Sequence, residues 1–324
     1  MNLHDLEKVE SPSFYLDLAL RKARERAANL GTLKGDKLQK ARILALTKLT
    51  TVQATIASTL RRLVRSFPSF DDLPEFYQEL CKTSFSLNDA KKALATLEWV
   101  ASQAQRFGRE YARKIKTART VRDVHAHRAA FYGRSASLLK QAKNALRFLE
   151  AVRKELKTFP AVKTSIPTVC IAGLPNAGKS TLLAKLTTAK PKIAGYAFTT
   201  TQLNLGYARK GPLKLQFIDT PGTLARPEKM NRVERQAHLA LKYLADLIVF
   251  VVDPSGQVDK GRQKKLFTQL KRLDKPIILY ASKADLVGED AARMALDELT
   301  RAALPRATRP QELLQLVVTA LKEA

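Results

Sequence analysis

The sequence predicts an N-terminal all-α helical bundle followed by an α/β P-loop domain, with a mainly parallel sheet and helices on both faces. Three observations support this. Residues 1–160 contain four glycines and four prolines, whereas nine glycines and ten prolines follow, so long helices are expected only in the first half. Short apolar runs alternate with helical stretches in the second half. The sequence GLPNAGKS at 173–180 has the spacing of a phosphate-binding loop.

Apolar residues in the first half repeat with the spacing of one helix face. From Leu138 to Leu156 they recur at steps of four and three residues, which places them on one stripe. Thr120 and Asp123 have the spacing of a capping pair at a helix start. Short connections between long helices favour an antiparallel bundle. The predicted helices span about 12–29, 36–67, 72–82, 87–117 and 120–158.

After residue 160 the apolar pattern changes to short runs typical of buried parallel strands. Helical stretches separate most of these runs, and two of them are 289–303 and 311–323. The change of pattern predicts two domains, a helical one at 1–160 and an α/β one at 161–324. The predicted strands are 167–172, 203–208, 213–219, 247–253 and 276–281.

The chain is strongly basic, with a formal net charge of +27 over 324 residues. This charge predicts a polyanionic partner, and RNA or DNA is favoured over a membrane surface. Cys81 and Cys170 have neither the number nor the spacing of a disulfide framework or a zinc site. No signal-peptide segment and no apolar run of membrane-spanning length is recognised, so a cytoplasmic protein that does not enter a membrane is expected.

The loop GLPNAGKS follows an apolar strand and precedes a helix, which is the context that a phosphate-binding loop requires. Its glycines allow backbone N–H groups to face phosphate oxygens, helped by the helix N-terminus. We expect Lys179 to reach the β- and γ-phosphates as a catalytic cation, and the Ser180 hydroxyl to bind Mg²⁺. The residues predicted to contact the nucleotide here are Gly173, Asn176, Ala177, Gly178, Lys179, Ser180 and Thr181.

Two further segments lie where a nucleotide-dependent switch requires them. IDTPG ends the strand 213–219, so Asp219 can hold Mg²⁺ through water and the Gly222 N–H can bond the γ-phosphate. AGYAFTTTQ at 194–202 lies between the phosphate-binding loop and this strand. Its adjacent threonines Thr199, Thr200 and Thr201 are candidates for a second Mg²⁺ hydroxyl.

SKAD at 282–285 follows the strand 276–281 and favours guanine as the base. The Asp285 carboxylate can accept from guanine N1–H and from its exocyclic amine, a pair of donors that adenine lacks. The stem of Lys283 can pack on the base. The usual tetrapeptide in GTPases is Asn-Lys-x-Asp. Ser282 stands in place of the asparagine, and its shorter reach predicts a looser hold on guanine.

GLPNAGKS, YAFTT, IDTPG, MNRVERQAHLALKYLAD and VVDPS closely resemble the NOG-type GTPases, which are the nucleolar GTP-binding proteins and their archaeal relatives in the Obg-related branch. FPSFDDLPEFYQEL at 67–80 and LRFLEAVRKEL extend the resemblance over nearly the whole chain. It implies a GTPase domain that binds GTP and GDP with Mg²⁺, and a role in assembly of the large ribosomal subunit. It also implies that the helical domain contacts rRNA and ribosomal protein, and that Thr200 is the switch threonine.

Two features depart from the GTPase pattern. The last guanine-contacting segment has no clear counterpart, and LPRATRP at 304–310 is either a degenerate strand or a source of backbone contacts. A Ras-like GTPase orients water with a glutamine after DxxG, whereas Thr223 stands here, so slow intrinsic hydrolysis is expected. Three alternatives follow: Asn176 holds K⁺ against the phosphates, a ribosomal partner supplies the missing group, or Asn176 merely braces its own loop.

Positive charge is concentrated in residues 101–160, which carry 15 Lys and Arg against 4 Asp and Glu. The junction of the two long helices there, with Tyr111, Phe131 and Tyr132 among its cations, is predicted to face rRNA mainly through phosphates. An ordinary solvated helix face is the alternative. For the whole chain, the alternative function is a nucleotide-gated binding module in which hydrolysis is incidental, and a monomer is expected. The RNA-contact candidates are Arg109, Arg113, Lys114, Lys116, Arg119 and Arg122.

Overall fold

A computed structural model describes residues 3, 5–187, 204–220 and 232–323. These residues divide into two compact units. The helical unit comprises the residues up to Leu73 together with Cys81–Thr158, and the α/β unit comprises Pro74–Leu80 together with the residues from Phe159 onward. Each unit therefore consists of two separate stretches of the sequence. The division into continuous domains at 1–160 and 161–324 remains a prediction.

The described part of the first half is helical, as predicted. Side chains at Ser11, Asp36, Ser86 and Thr120 accept a backbone N–H and so begin four of the helices. The capping pair at Thr120 and Asp123 is confirmed, because each side chain bonds the backbone N–H of the other residue at 3.1 Å. The helices are α1 (Pro12–Ala28), α2 (Lys37–Ser66), α3 (Glu75–Ser84), α4 (Leu87–Thr117), α5 (Val121–Gln141) and α6 (Lys143–Leu156).

The prediction of one helix over 120–158 is wrong, because a tight turn at Ala142 divides it into α5 and α6. The Ala142 N–H bonds the carbonyls of Leu139 and Lys140. After the turn, Leu146 is buried in place of Ala145, which is only half-buried, and the rest of the predicted stripe is buried as expected. Periodicity could not reveal the turn, since steps of three and four residues occur in both helices.

Helix α2 packs against α1, α4 and α5 and supplies much of the core of the helical unit. Leu49, Ile56 and Leu60 are among its fully buried residues. By length and composition alone, α2 is the one described helix that could cross a membrane. This is weak evidence, because the core helix of a bundle has the same length and composition, and the burial of α2 favours that interpretation.

The described second half contains one mainly parallel sheet, as predicted. Its strands are β1 (Thr168–Ala172), β2 (Asn204–Lys210), β3 (Leu213–Asp219), β4 (Leu247–Val252), β5 (Ile277–Ala281) and β6 (Arg306–Ala307). They lie in the order β2-β3-β1-β4-β5-β6, and only β2 and β3 pair antiparallel. The sixth strand has two residues, so LPRATRP contains a degenerate strand.

Helices cover both faces of this sheet. On one face, strand residues such as Val169 belong to a buried cluster with α7 (Lys179–Leu186) and α12 (Pro310–Glu323). On the other face, the rings of Phe250 and Phe267 lie 5.5 Å apart, and Cys170 Sγ lies 3.8 Å from the Ala240 carbonyl. Alternate strand residues are therefore buried on opposite sides. The helices are α7 (Lys179–Leu186), α8 (Arg232–Tyr243), α9 (Lys260–Lys271), α10 (Ala284–Val287), α11 (Glu289–Leu299) and α12 (Pro310–Glu323).

The parallel strands β1, β3, β4 and β5 end at the same edge of the sheet. The phosphate-binding loop follows β1, Asp219 ends β3, Asp253 follows β4, and Ser282 follows β5. Ligand sites of open α/β sheets lie at this edge. The fold thus brings four segments that are far apart in sequence to one place.

Candidate functional site

The phosphate-binding loop turns from β1 into α7 through two residues with left-handed backbone. The φ angles are 63° at Asn176 and 91° at Gly178, and these are residue types that tolerate this conformation. A Cβ on Gly173 would lie 2.7 Å from the Val251 carbonyl oxygen, so only glycine allows β4 to approach here. The loop ends at the N-terminus of α7, where free N–H groups and the helix dipole favour an anion.

The side chain of Asn176 is exposed, and within the described part of the chain it makes no hydrogen bond. The described structure therefore gives no support to the interpretation that this side chain braces its own loop. The left-handed backbone is itself a sufficient reason for asparagine at this position. The amide group is left available to a ligand of the loop.

Lys179 is buried inside the loop. Its ammonium donates to the Leu174 carbonyl at 2.8 Å, and the residue is 8% exposed. Burial lowers the pKa of Lys179, and the nearby Asp219 carboxylate partly opposes this effect. A cation that has been removed from water attracts an anion strongly, so Lys179 is suited to bind phosphate.

Ser180 and Asp219 form the part of the site that fits a metal ion. The Ser180 hydroxyl donates to Asp219 Oδ2 at 2.6 Å, and the Asn204 amide donates to the same oxygen at 3.3 Å. The other carboxylate oxygen, Oδ1, is buried and has no partner among the described residues. A buried oxygen of this kind is costly unless a cation or water bonds it. Hydroxyl and carboxylate oxygens are ligands that Mg²⁺ prefers, so these residues fit Mg²⁺.

The SKAD segment lies directly beside the phosphate-binding loop. A Cβ on Gly178 would be 3.2 Å from Ser282 Cβ. Ser282 is buried, and its hydroxyl donates to the Val252 carbonyl at 3.1 Å. In this arrangement the hydroxyl braces the end of β5 against β4. An asparagine here would add bulk against Gly178, because the two segments already touch.

Asp253 is a site residue that sequence reasoning missed. It is buried, and its carboxylate accepts from Lys283 Nζ at 2.7 Å and from the Ser255 hydroxyl at 2.6 Å. Burial raises the pKa of Asp253, but the hydrogen bonds from Lys283 and Ser255 outweigh it, so the pKa is lowered overall. The motif VVDPS contained the signal, an aspartate that ends a buried strand. Asp253 holds Lys283 in place at the site.

A cavity of about 360 Å³ lies beside Asp285, which is exposed at its wall. Its size is within the range of small-molecule sites. Tyr280 also lines the cavity, and burial together with the Asp285 charge raises the pKa of its hydroxyl, which therefore stays neutral. Lys185 of α7, the helix that follows the phosphate-binding loop, lines the same cavity as the carboxylate of SKAD.

The segment after β6 forms another wall of this cavity through Thr308 and Arg309, which sequence reasoning did not identify. Arg309 pairs with Glu289 at 2.9 Å, and the Thr308 hydroxyl donates to Glu289 at 3.1 Å. The Thr308 N–H donates to Glu312 at 3.1 Å. These bonds fix the loop after β6 beside α11. A strand of two residues leaves no pattern that sequence reasoning could detect.

The described site therefore brings together the predicted residues of the phosphate-binding loop, Asp219 and the SKAD segment. Two predicted catalytic residues, Thr200 and Gly222, lie outside the described residues. The same is true of Thr223, which stands where a Ras-like GTPase has glutamine.

All six predicted RNA-contact residues are exposed on the end of α4, the connecting turn and the start of α5. Lys114 is paired with Glu110 at 2.7 Å, so a phosphate must compete with this carboxylate. Among the nearby aromatic residues, Tyr111 and Phe131 are buried. They belong to the core and are not available to stack on bases.

Both halves of the chain match known protein families. Residues 4–163 match the NOG1 N-terminal helical domain, and residues 168–283 match the 50S ribosome-binding GTPase family. The uncharacterized protein MJ1408 of Methanocaldococcus jannaschii is 38% identical over 287 residues, which are 87% of this chain and 80% of that protein. Nucleolar GTP-binding protein 1 of Drosophila melanogaster is 30% identical over 295 residues, which are 89% of this chain. The aligned region is only 45% of the Drosophila protein.

Solved structures with similarity to part of this chain include a GDP-bound protein and the G domain of a transporter. Era from Aquifex aeolicus, bound to GDP and AlF4−, is 29% identical with a TM-score of 0.39, covering 48% of this chain and 56% of Era. The G domain of the FeoB iron transporter from T. maritima is 24% identical with a TM-score of 0.38, covering 48% of this chain and 98% of that domain.

Proposed function

This chain belongs to the nucleolar GTP-binding protein family, and from that premise we propose that it binds and hydrolyses GTP during assembly of the large ribosomal subunit. One observation carries the proposal: Asp285 lines a cavity together with Lys185 of α7, the helix that follows the phosphate-binding loop, and Ser180 of that loop donates to Asp219. The match to the 50S ribosome-binding GTPase family and the names of the nucleolar relatives support the ribosomal setting.

In this proposal each group at the edge of the sheet has one task. The backbone N–H groups of the loop bind the phosphates, and Lys179 neutralises charge that develops between the β- and γ-phosphates. Ser180, Asp219 and Thr200 would hold Mg²⁺, which would offset phosphate charge. Asp285 accepts from the guanine donors. The Gly222 N–H bonds the γ-phosphate.

The proposal includes slow intrinsic hydrolysis, because Thr223 is too short to orient water as glutamine does. The exposed amide of Asn176 supports the view that it helps to hold a K⁺ ion against the phosphates. Such an ion would offset charge in the transition state, in the way that an arginine finger does. A group supplied by the ribosomal partner is the alternative.

Replacing Na⁺ by K⁺ at constant ionic strength is expected to raise GTP turnover by roughly 10². Asn176→Ala should remove this difference, whereas Asn144→Ala, at an exposed position of α6, should retain it. Phosphate release under single-turnover conditions measures the effect. Equal rates in the two salts would exclude K⁺, and a rate increase on adding large-subunit precursors would then support the ribosomal partner as the source.

We further propose that the basic end of the helical unit contacts rRNA through phosphates. The six exposed cations and the excess of positive charge in residues 101–160 support this. The double substitution Arg113→Ala, Lys116→Ala should weaken RNA binding and reduce the slope of log K against log salt by about 1.5. Filter binding at several salt concentrations measures this slope.

The matched control for that test is Lys264→Ala, Lys265→Ala, which removes the same charge from an exposed part of α9. We expect the control to leave the slope almost unchanged. If both variants lost RNA affinity equally, only the total charge of the chain would matter. That result would contradict a contact at the α4–α5 junction.

A nucleotide-gated binding module, in which hydrolysis is incidental, is the second candidate function, and Thr223 in place of glutamine favours it. Release of the chain from large-subunit precursors distinguishes the two. If release with a non-hydrolysable GTP analogue is as fast as with GTP, hydrolysis is incidental. The proposed setting is the cytoplasm, with the chain as a monomer, and sedimentation measurements would test the oligomeric state.

A further inference from the structure

Trp99 is the sole tryptophan among the 324 residues, and it is 47% exposed on α4. Burying a large aromatic side chain normally stabilises a fold, so an exposed indole gives up much of this stabilisation. Among the described aromatic residues of the helical unit, only Trp99 and Phe14 are exposed, whereas Tyr111 and Phe131 are buried. The exposure of Trp99 therefore needs a reason other than packing of the unit.

Trp99 lines a groove of about 190 Å³ between α4 and α5. On α4, Trp99, Gln103 and Phe107 are spaced by four residues and so lie on one face of the helix. Arg134 and Gln141 line the groove from α5. The groove combines aromatic surfaces with amide groups that can donate and accept hydrogen bonds.

A positive charge is held at this groove. The Arg134 guanidinium lies 5.5 Å from the centre of the Phe107 ring and 5.8 Å from that of Tyr111. Among the described residues that line the groove there is no aspartate or glutamate. The nearest relevant carboxylate is that of Glu110, 3.9 Å from Arg134, and it is bonded to Lys114 at 2.7 Å. The ligand favoured by this arrangement is aromatic and carries negative charge.

The groove and the predicted RNA-contact residues share α4 and α5. Residues 101–160, which include most of both helices, carry an excess of 11 positive charges. Unpaired nucleotides meet all of these conditions, because each joins an aromatic base to a phosphate. Duplex RNA offers phosphates, but its bases are stacked on one another and are not available to an exposed indole.

We infer that the groove binds an unpaired segment of RNA, with one base stacked on Trp99 and a neighbouring phosphate paired with Arg134. The amides of Gln103 and Gln141 are within the same groove and can bond the base edge. This inference rests on the proposed contact with rRNA and deepens it, because it names the structure of the RNA that is recognised. Protein docking at the same groove is the competing proposal.

The intrinsic fluorescence of the full chain tests the inference directly, since Trp99 is its one indole. Titration with oligouridine should quench this fluorescence, whereas an RNA duplex of equal charge should bind without comparable quenching. Trp99→Ala should weaken oligouridine binding by about 5- to 150-fold and leave duplex binding unchanged. Trp99→Phe should recover most of the affinity, because it keeps an aromatic face.

The control variant is Phe14→Ala, which removes an aromatic side chain of similar exposure (46%) from α1. It should bind oligouridine like the unchanged chain. Oligouridine binding without quenching, and with no loss in Trp99→Ala, would overturn the inference and leave the proposed rRNA contact intact. Failure of the chain to bind any RNA would overturn both. If Trp99→Ala binds oligouridine normally but loses ribosomal protein during purification from precursor particles, the groove is a protein-docking surface and the inference is wrong.

Discussion

Replacing Asp285 by asparagine is expected to weaken GTP binding by roughly 10²- to 10⁴-fold. In the proposed site, the Asp285 carboxylate at the cavity wall accepts two hydrogen bonds from guanine, and asparagine turns one acceptor oxygen into a donor amine. One hydrogen bond then loses its charge assistance, and in place of the other, two donors face each other. A base with a carbonyl in place of the exocyclic amine would suit asparagine, so xanthosine triphosphate should bind the variant better than GTP does.

Competition against a fluorescent nucleotide measures the affinities for GTP and for xanthosine triphosphate. Asp290→Asn is the matched control, since it removes the same charge at an exposed position of α11. The control variant should bind GTP as tightly as the unchanged chain does, and it should still prefer GTP to xanthosine triphosphate. Retention of GTP affinity in Asp285→Asn would place the base elsewhere, and the cavity beside SKAD would then have another occupant.

Replacing Lys179 by methionine is expected to lower GTP turnover by about 10²- to 10³-fold. Methionine keeps much of the length of the side chain but removes the ammonium, which is buried inside the phosphate-binding loop. Negative charge that develops between the β- and γ-phosphates then has no cation from the loop. The variant should also fold, because methionine is compatible with a buried position.

Single-turnover phosphate release measures the loss, and circular dichroism verifies the fold of the variant. Lys214→Met, at an exposed position of β3, removes the same charge and should hydrolyse GTP at the normal rate. If Lys179→Met loses no more activity than Lys214→Met, the loop at 173–180 is not the site of hydrolysis.

Local patterns in the sequence were sufficient to predict most of the fold. The short apolar runs at 167–172, 213–219, 247–253 and 276–281 correspond to four strands of the sheet. They could be detected because strands buried on both faces are almost entirely apolar. The loop at 173–180 was found in the same way, since its chemistry depends on residues at fixed spacing within one segment.

Features that depend on distant parts of the chain could not be predicted. Strand β6 has two residues and is defined by its pairing with β5, and Thr308 reaches the cavity only because of that pairing. Asp253 belongs to the site because it bonds Lys283, which lies thirty residues later in the chain. Trp99 and Tyr111 are both large aromatic residues on α4. Trp99 is exposed and Tyr111 is buried because of how the bundle packs.

The most direct test of the account is phosphate release from GTP and from ATP by the purified chain in Mg²⁺, with and without precursors of the large ribosomal subunit. We expect slow release from GTP alone, faster release in the presence of K⁺ or the precursors, and almost no release from ATP. Lys179→Met should abolish most of the release from GTP. Release from ATP as fast as from GTP, or no release from GTP under any of these conditions, would contradict the proposed function.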